Sequence, residues 1–185
     1  MVPLPVAARA TWTEPIAVSN DPDFDRFFVK HYDGLVASLT VITGDRQRAD
    51  DCVQEAFIRA YARWRRVRRY DNPATWVRRV AINLSRDAKR SETRRRRRED
   101  RQAGEVMTAT PSHEAGLIGD IEVVALLQAL PRQQRTVAAL FYVEDISLAD
   151  IAESLDITTG AVKFHLSKAR ERLRAILEAE DVSNV

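Results

Sequence analysis

A helical repeat of apolar residues is the feature that most constrains how this chain can fold. In seven segments, apolar side chains recur at steps of three and four residues, which places them on one face of a helix. The first stripe runs from Phe24 to Ile42 and is followed by Gly44, a residue type that commonly ends helices. The second stripe, from Val53 to Trp64, predicts a helix from Arg48 to about Arg66. Since no segment alternates apolar and polar residues as a strand does, the sequence predicts an all-α fold.

Two small helical domains joined by a flexible linker account for the order of these segments. The stripes between residues 23 and 95 predict the first domain, and those between residues 117 and 178 predict the second. Residues 1–22 contain four of the seven prolines and are predicted to form a flexible tail. Residues 96–116 lose apolar periodicity and gain Gly, Thr, Ser and Pro, which is typical of a linker, although its first part can still be helical. Residues 179–185 are predicted to be a second short tail.

Charge is divided unevenly along the chain. The formal net charge is only +2, yet residues 63–101 hold sixteen Arg or Lys residues against five acids, so this part carries +11 and the rest carries −9. Such segregation favours a nucleic-acid surface on one part and a basic or solvated partner for the other. The run Arg94–Arg98 by itself fits a nuclear-import signal, a solvated tail or a nucleic-acid patch, and its continuity with the preceding predicted helix favours the patch.

The residue clusters that catalysis and metal binding need are absent from the sequence. The single cysteine, Cys52, cannot form an internal disulfide, and no Cys and His cluster has metal-ligand spacing, so we expect no metal and no other cofactor. No acid pair, nucleophile with its base, or phosphate loop is visible, which argues against an enzyme. Because no apolar run approaches membrane-spanning length and the first residues do not resemble a secretory signal, we expect a cytoplasmic protein without membrane insertion.

The stretch "SLADIAESLDITTGAVKFHLSKARERL" predicts two helices broken by a turn. Ser147 and Asp150 have capping-box spacing for the first helix, and Thr158 is placed to cap the second. This is helix-turn-helix spacing, in which the second helix enters a major groove. An ordinary helical hairpin with a solvated face is the alternative. One face of the second helix is apolar, and the other carries residues suited to a polyanion: Thr159, Lys163, Phe164, His165, Ser167, Lys168 and Arg172.

Three stretches resemble a known family, the extracytoplasmic-function group of bacterial sigma factors, which keep only the sigma-two and sigma-four domains. "GDRQRADDCVQEAFIRAYARW" resembles the sigma-two signature, and "TWVRRVAINLSRDAKR" resembles its promoter-melting helix. "LPRQQRTVAALFYVEDISLADIAESLDITTGAVKFHLSKARERLRAIL" resembles sigma-four. The resemblance covers about residues 23–95 and 117–177, and two independent motifs in the right order make it more specific than a lone helix-turn-helix.

This resemblance implies a chain that binds core RNA polymerase, directs it to promoter DNA and helps to separate the strands. It places Asp51, Gln54 and Glu55 on the face that docks on the polymerase, whereas composition alone would interpret them as a solvated helix face. Asn83 occupies the position at which the family presents an Asn to the −10 region, where an amide can hydrogen-bond a base edge. The other residues expected at −10 DNA are Tyr70 in the loop and the phosphate-binding Arg78, Arg79, Arg86, Lys89 and Arg90.

By the same resemblance, the second helix of the helix-turn-helix would read the −35 element. The residues expected there are Thr159, Lys163, Phe164, His165 and Lys168, with Arg170 and Arg172 closer to phosphates. Many relatives have Ser and Arg in place of Phe164 and His165, which implies a different base preference. Phe164 is expected either to contact a thymine methyl or to pack inside the hairpin. The family also implies a linker that threads through the polymerase and an anti-sigma protein as a partner.

Two other classes of protein fit part of the sequence. A helix-turn-helix activator that binds DNA without replacing a sigma factor would explain "AVKFHL". A receiver domain, however, would need alternating strands and helices in the N-terminal half, and the sequence predicts none. A helical adaptor that binds protein or RNA through its arginines would leave the capped helix-turn-helix unexplained.

Overall fold

The computed structural model describes residues 21–103 and 121–183, and every regular element in these two ranges is helical. Eight helices are described, in the order α1 Pro22–Thr43, α2 Arg46–Tyr61, α3 Trp64–Val67, α4 Pro73–Ala103, α5 Ile121–Gln128, α6 Arg132–Tyr142, α7 Leu148–Leu155 and α8 Thr159–Ser183. We call α1–α4 the first module and α5–α8 the second module. The all-α prediction is confirmed. Most of the N-terminal tail predicted over residues 1–22 and most of the predicted linker lie outside the described residues.

Helix ends follow the capping residues that the sequence offers. Asp21 caps α1, its side chain accepting a hydrogen bond from the Asp23 N–H at 3.0 Å. Gly44 ends α1 in the left-handed region at φ 76°, where its N–H bonds the Thr40 carbonyl at 2.8 Å. Asp45 then caps α2 by accepting from the Arg48 N–H at 3.0 Å. The reversal between α1 and α2 is therefore specified by two consecutive residues, Gly44 and Asp45.

The prediction of one continuous helix from Arg48 to Arg66 is wrong at its C-terminal end. The helix α2 ends at Tyr61, and the separate single turn α3 begins at Trp64. The chain leaves the helical region at Arg63, with φ −124° and ψ 22°. Beyond this break, Trp64 and Val67 are both buried in the core.

Helix α4 passes the predicted domain boundary at residue 95 and continues to Ala103. Asn72 caps the helix, since its side-chain oxygen accepts a hydrogen bond from the Thr75 N–H at 3.3 Å, and Pro73 occupies the first turn. The extension contains four Arg residues together with Glu99, Gln102 and Ala103, residue types that favour helix. The first eight residues of the predicted linker are therefore helical.

One apolar cluster joins the two modules. Leu39 and Val53 of the first module are 0% exposed and belong to the same cluster as Leu140 and Val162 of the second module, which are also 0% exposed. In a smaller cluster, Val41 of α1 packs with Leu127 of α5 and with Leu130, which follows α5. Each such aliphatic side chain contributes about 1.5–3 kcal/mol on burial. The two modules thus pack against each other rather than standing apart, which the sequence did not predict.

Candidate nucleic-acid and partner interfaces

The helix-turn-helix hairpin is built as the sequence predicts. The Ser147 hydroxyl caps α7 by accepting from the Asp150 N–H at 3.1 Å, and the Thr158 hydroxyl caps α8 by accepting from the Ala161 N–H at 3.1 Å. Between the helices, Asp156 adopts the left-handed region at φ 58°. The apolar face of α8 is anchored by buried Val162, Leu166 and Ala169. Its opposite face is left exposed at Thr159, Lys163, Phe164, Ser167, Lys168 and Arg172.

Two rings stand side by side on α8. Phe164 is 59% exposed, so the alternative in which it packs inside the hairpin is not what the structure shows. It meets the half-buried His165 ring edge to face, with 5.6 Å between the ring centroids. The His165 Nδ1 atom is buried and has no hydrogen-bond partner in the parts of the chain described. The Phe164 ring is therefore exposed to solvent on the face of α8 that was predicted from the sequence to bind DNA.

Lys168 and Arg170 of α8 have different partners within the protein. Lys168 pairs with Glu171 at 2.7 Å, and this hydrogen bond lowers the pKa of the Glu171 carboxyl. Both side chains are well exposed, so the pair is weak and can be exchanged for a phosphate. Arg170 instead donates to the Tyr142 hydroxyl at 2.6 Å and lies over the rings of Phe141 and Tyr142, 5.9 Å from each centroid. Arg170 therefore ties α8 to α6 while remaining exposed.

Residues 79, 83, 86 and 90 lie on one face of α4, because their spacing of three and four follows the helical repeat. Asn83, Lys89 and Arg90 are exposed, and Tyr70 in the preceding loop is 37% exposed. Arg86 is half-buried, and burial, followed by the neighbouring charges of Arg132 and Arg90, lowers its pKa. Because Arg132 begins α6, positive charge from both modules accumulates at this point.

Arg78 departs from the expected −10 surface. Its side chain is 3% exposed, and its guanidinium donates to one Glu144 carboxylate oxygen from Nη2 at 2.6 Å and from Nε at 2.9 Å. A third nitrogen, Nη1, reaches the Ser154 hydroxyl at 3.3 Å. The reason is geometric: Arg78 lies on the side of α4 that faces the second module, about 100° around the helix from Arg79. In this arrangement Arg78 cannot contact a phosphate.

Arg79 also contacts the second module. Its guanidinium hydrogen-bonds the Glu153 backbone carbonyl and lies 3.9 Å from the Asp156 carboxylate. About two turns earlier, at the N-terminal end of α4, the Asn72 side-chain amide donates to the Asp150 carboxylate at 2.6 Å. Glu144 and Asp150 were not predicted as partners of the basic helix. No local signal marks them, since they lie 66 and 78 residues away from Arg78 and Asn72.

The predicted partner-binding face on α2 is accessible. Asp51 and Gln54 are exposed, and Glu55 is partly exposed. Each takes part in a hydrogen bond one turn away on the same helix: Gln47 to Asp51 at 3.0 Å, Gln54 to Asp50 at 2.8 Å and Arg59 to Glu55 at 2.7 Å. Such exposed pairs contribute only about 0.3–0.5 kcal/mol, so a basic partner can replace them at small cost.

In residues 21–103 and 121–183, no group of three or more His, Cys, Asp or Glu side chains is placed to hold a metal ion. No helix within the same ranges is long and apolar enough to cross a membrane.

Comparison with known proteins gives the following matches. The family model described as Sigma-70 region 2 matches residues 27–95, and that described as Sigma-70, region 4 matches residues 120–173. The chain is 34% identical over 142 residues to the ECF RNA polymerase sigma factor SigW of Bacillus subtilis, covering 71% of this chain and 76% of SigW. It is also 34% identical over 151 residues to the "Probable RNA polymerase sigma factor RfaY" of Xanthomonas campestris, covering 76% of this chain and only 36% of that longer protein.

Among solved structures, the fold is similar to the sigma factor RpoE in complex with the anti-sigma factor NepR from Bartonella quintana. The TM-score is 0.64 at 23% sequence identity, and the match covers 84% of this chain and 97% of that chain.

Proposed function

The chain belongs to the sigma-70 family of RNA polymerase sigma factors, in its extracytoplasmic-function group, and from this premise we propose how its surfaces direct transcription initiation. The protein binds core RNA polymerase and takes it to promoter DNA. The first module recognises the −10 region and assists strand opening, and the second module reads the −35 element. The observation that carries the proposal is the presence of regions 2 and 4, in that order, on one chain. A helix-turn-helix alone would fit an activator equally well.

For −35 recognition, the exposed start of α8 enters the major groove. Lys163 and Phe164 are on the free face of the helix within its first two turns, which is where a recognition helix contacts base edges. The exposed Phe164 ring supplies apolar contact to a thymine methyl, and Lys163 donates to a guanine or a phosphate. Thr159, His165, Lys168 and Arg172 complete the surface.

For −10 recognition, the exposed amide of Asn83 hydrogen-bonds a base edge. Arg86, Lys89 and Arg90 hold the backbone beside it, and Tyr70 offers a ring on which an unpaired base stacks. Arg78 and Arg79 join this surface only when the second module releases them. Energy for unpairing comes from base stacking and phosphate neutralisation, since the protein itself supplies no chemical step. Catalysis belongs to the polymerase.

Polymerase binding through Asp51, Gln54 and Glu55 is tested by charge reversal. The double variant Asp51→Arg with Glu55→Arg is expected to lose co-purification with core polymerase, because a basic partner surface would then face like charge. The double variant Asp25→Arg with Asp33→Arg is the matched control, since it makes the same charge change at exposed positions of α1. Equal retention of the polymerase by both double variants would contradict this assignment.

The complete function is tested by transcription in vitro from a library of promoter fragments with purified core polymerase. Transcripts that start at defined sites only when the protein is added would establish the function and define both promoter elements. If the core enzyme gains nothing while the protein alone binds selected duplex DNA, the chain is an activator instead.

The remaining assignments follow from this function. The working location is the cytoplasm, where RNA polymerase acts. The two functional domains correspond to residues 23–95 and 117–178, with the linker 96–116 running through the polymerase between the promoter elements. An anti-sigma protein is a further partner, as in the related RpoE and NepR complex.

A further inference from the structure

A cavity of about 320 Å³, which we call the junction cavity, lies where α1, the start of α4 and the second module meet. Lys30 and His31 line it from α1, Arg78 lines it from α4, and Glu144 and Asp150 line it from the second module. Its volume is at the lower end of the range that small-molecule sites in proteins occupy. Apart from Arg78, these residues belong to no surface proposed above for DNA or polymerase.

The ion pair on the wall of this cavity has no donor left for a ligand. Arg78 directs Nε and Nη2 to one oxygen of Glu144 at 2.9 and 2.6 Å, and its Nη1 donates to the Ser154 hydroxyl at 3.3 Å. The other Glu144 oxygen accepts from the Ser38 hydroxyl at 3.0 Å. All three guanidinium nitrogens are therefore engaged within the protein.

The polar groups at the N-terminal end of α4 are paired in the same way. The Asn72 amide, which also lines the cavity, donates to one oxygen of Asp150 at 2.6 Å and accepts from the Thr75 N–H at 3.3 Å. The second Asp150 oxygen accepts from the Ser147 hydroxyl at 2.7 Å. Each of these groups has a partner, although a carboxylate oxygen can accept more than one hydrogen bond.

Two groups on the α1 side of the cavity remain available. The Lys30 ammonium and the His31 imidazole make no hydrogen bond or ion pair with any residue of 21–103 or 121–183. His31 is half-buried, and its ring lies against Phe27 with 4.9 Å between the ring centroids. Burial, followed by the charges of Lys30 and Arg78, lowers the pKa of His31, and the charge of Glu144 opposes this only in part. An anion beside both groups would reverse that balance.

The wall opposite α1 limits which anions the cavity can accept. Glu144 and Asp150 place two carboxylates there, and these repel a second negative charge on a ligand. The same carboxylates can accept a hydrogen bond from a hydroxyl or ammonium group. The side chains of Ala74 and Ile146 add apolar contact between the two walls. The arrangement is thus complementary to a small molecule with one carboxylate and one donor group.

From this accounting we propose that the junction cavity binds a small hydroxy or amino carboxylate, whose carboxylate lies between the Lys30 ammonium and the protonated imidazole of His31 and whose donor group bonds Asp150. Near neutral pH the imidazole takes up its proton together with the ligand, because Lys30 and Arg78 oppose that charge when the cavity holds no anion. The proposal stands apart from the proposed function, since it concerns the free chain and involves neither DNA nor polymerase.

Binding is measured on the free, full-length chain by nuclear magnetic resonance, with glycolate as the probe. The chain has three His residues, so the imidazole resonance of His31 is identified by its loss in His31→Gln. Saturating glycolate is expected to raise the pKa of His31 by at least about one unit. By linkage, the affinity should rise about tenfold as pH falls from about 8 to about 5. No displacement of the His31 resonance by glycolate would overturn the proposal.

Two further probes distinguish this site from general attraction to an exposed lysine. At about pH 7, glycolate is expected to bind more tightly than acetate, which lacks the donor, and acetate more tightly than the dianion succinate. Attraction to positive charge alone would favour the dianion, since the Coulomb energy grows with the charge of the ligand. Tightest binding of succinate would therefore overturn the proposal.

Variants of α1 test the two groups that hold the carboxylate. Lys30→Gln and His31→Gln are each expected to weaken glycolate binding at least about tenfold, as read from backbone amide resonances. Arg26→Gln is the matched control, because it makes the same charge change as Lys30→Gln at a side chain of α1 that is 79% exposed and pairs with Asp23. Equal affinity in Lys30→Gln and Arg26→Gln would overturn the assignment of Lys30.

A last variant tests whether the ligand lies inside the cavity. Gly34 lines it, and a Cβ atom there would meet only Glu144 Cγ, at 3.6 Å, which is an ordinary contact. Gly34→Ala therefore adds a methyl group to the cavity and leaves every polar group in place. It is expected to weaken glycolate binding several-fold with unchanged helix content by circular dichroism. Unchanged affinity would place the anion outside the cavity and overturn the proposal.

Discussion

Replacing Phe164 with alanine separates a DNA-reading role of this ring from a structural one. The ring is 59% exposed and meets only the neighbouring His165 among the aromatic contacts described. The sequence allowed either thymine contact or packing inside the hairpin. Loss of a packed ring would lower the free energy of unfolding, whereas loss of an exposed ring would leave it nearly unchanged. Because a mostly exposed side chain contributes little to the folded state, Phe164→Ala is expected to change the free energy of unfolding by less than about 0.5 kcal/mol.

The loss of binding can be bounded from the exposed area. A phenylalanine buries roughly 150–250 Å² when fully covered, so the exposed 59% leaves about 120 Å² for DNA to cover. At about 25 cal/mol per Å², complete coverage would contribute about 3 kcal/mol, and contact with one methyl group covers only part of the ring. We therefore expect Phe164→Ala to lose about 1–2 kcal/mol of binding to the selected −35 sequence, or roughly 5–30-fold in Kd.

Fluorescence anisotropy with a selected −35 duplex and a scrambled duplex provides the assay. Leu177→Ala is the matched control, because Leu177 is 47% exposed on α8 but lies more than three turns further along and on the other side of the helix. Loss on the selected duplex alone would mark Phe164 as a reader of sequence. A large drop in the unfolding midpoint with unchanged DNA affinity would refute the reasoning and would indicate that the ring stabilises the hairpin.

The remaining predictions concern one contact to DNA and two contacts in the first module. Lys163→Ala is expected to cost roughly 1 kcal/mol or more of −35 binding if Lys163 reads a base, whereas an equal loss on every duplex would identify a phosphate contact. Burial, followed by the 2.6 Å hydrogen bond to Asp50, raises the pKa of Tyr32 to about 12. Tyr32→Phe removes this hydrogen bond, so urea unfolding should show about 1–2 kcal/mol less stability, and an unchanged midpoint would contradict this role. Burial, followed by the charge of the neighbouring Lys30, lowers the pKa of His31 in the folded chain. As pH falls, His31 is therefore protonated in the unfolded chain before it is protonated in the folded one. The free energy of unfolding should fall as pH drops from about 7 through the ordinary pKa near 6.5. Urea unfolding of His31→Gln should lose this part of the pH dependence, and an unchanged pH profile would exclude His31 as its source.

Signals confined to a few neighbouring residues were predicted from the sequence with good accuracy. Gly44 ends α1, Ser147 caps α7 and Thr158 caps α8, each where the sequence places it. These succeed because a cap satisfies backbone groups within three or four residues of itself and needs no partner from elsewhere. The exposed face of α8 was predicted for the same reason, since a helical period divides apolar from polar residues locally.

The failures all involve residues whose surroundings are supplied by distant parts of the chain. The break at Arg63 occurs within an apolar stripe that continues through Trp64, so periodicity alone gives no reason to end the helix. Arg78 looks identical to Arg79 in the sequence, yet one is buried against Glu144 and the other is partly exposed. Arg170 donates to Tyr142, 28 residues earlier, a contact that no local pattern predicts. Which cation is free depends on packing between modules, and no spacing rule encodes it.

The packing of the two modules brings acidic side chains of the second module against the basic helix α4. Residues 63–101 carry +11 and the rest carries −9, which favoured a basic or solvated partner for the acidic part. Part of that partner is the chain's own α4, because Glu144, Asp150 and Asp156 all face its first turns. A helix this basic would bind any polyanion through nonspecific phosphate contacts, with an affinity that depends on salt. Covering its start with carboxylates of the same chain lowers that nonspecific attraction, while Lys163 and Phe164 of α8 remain exposed.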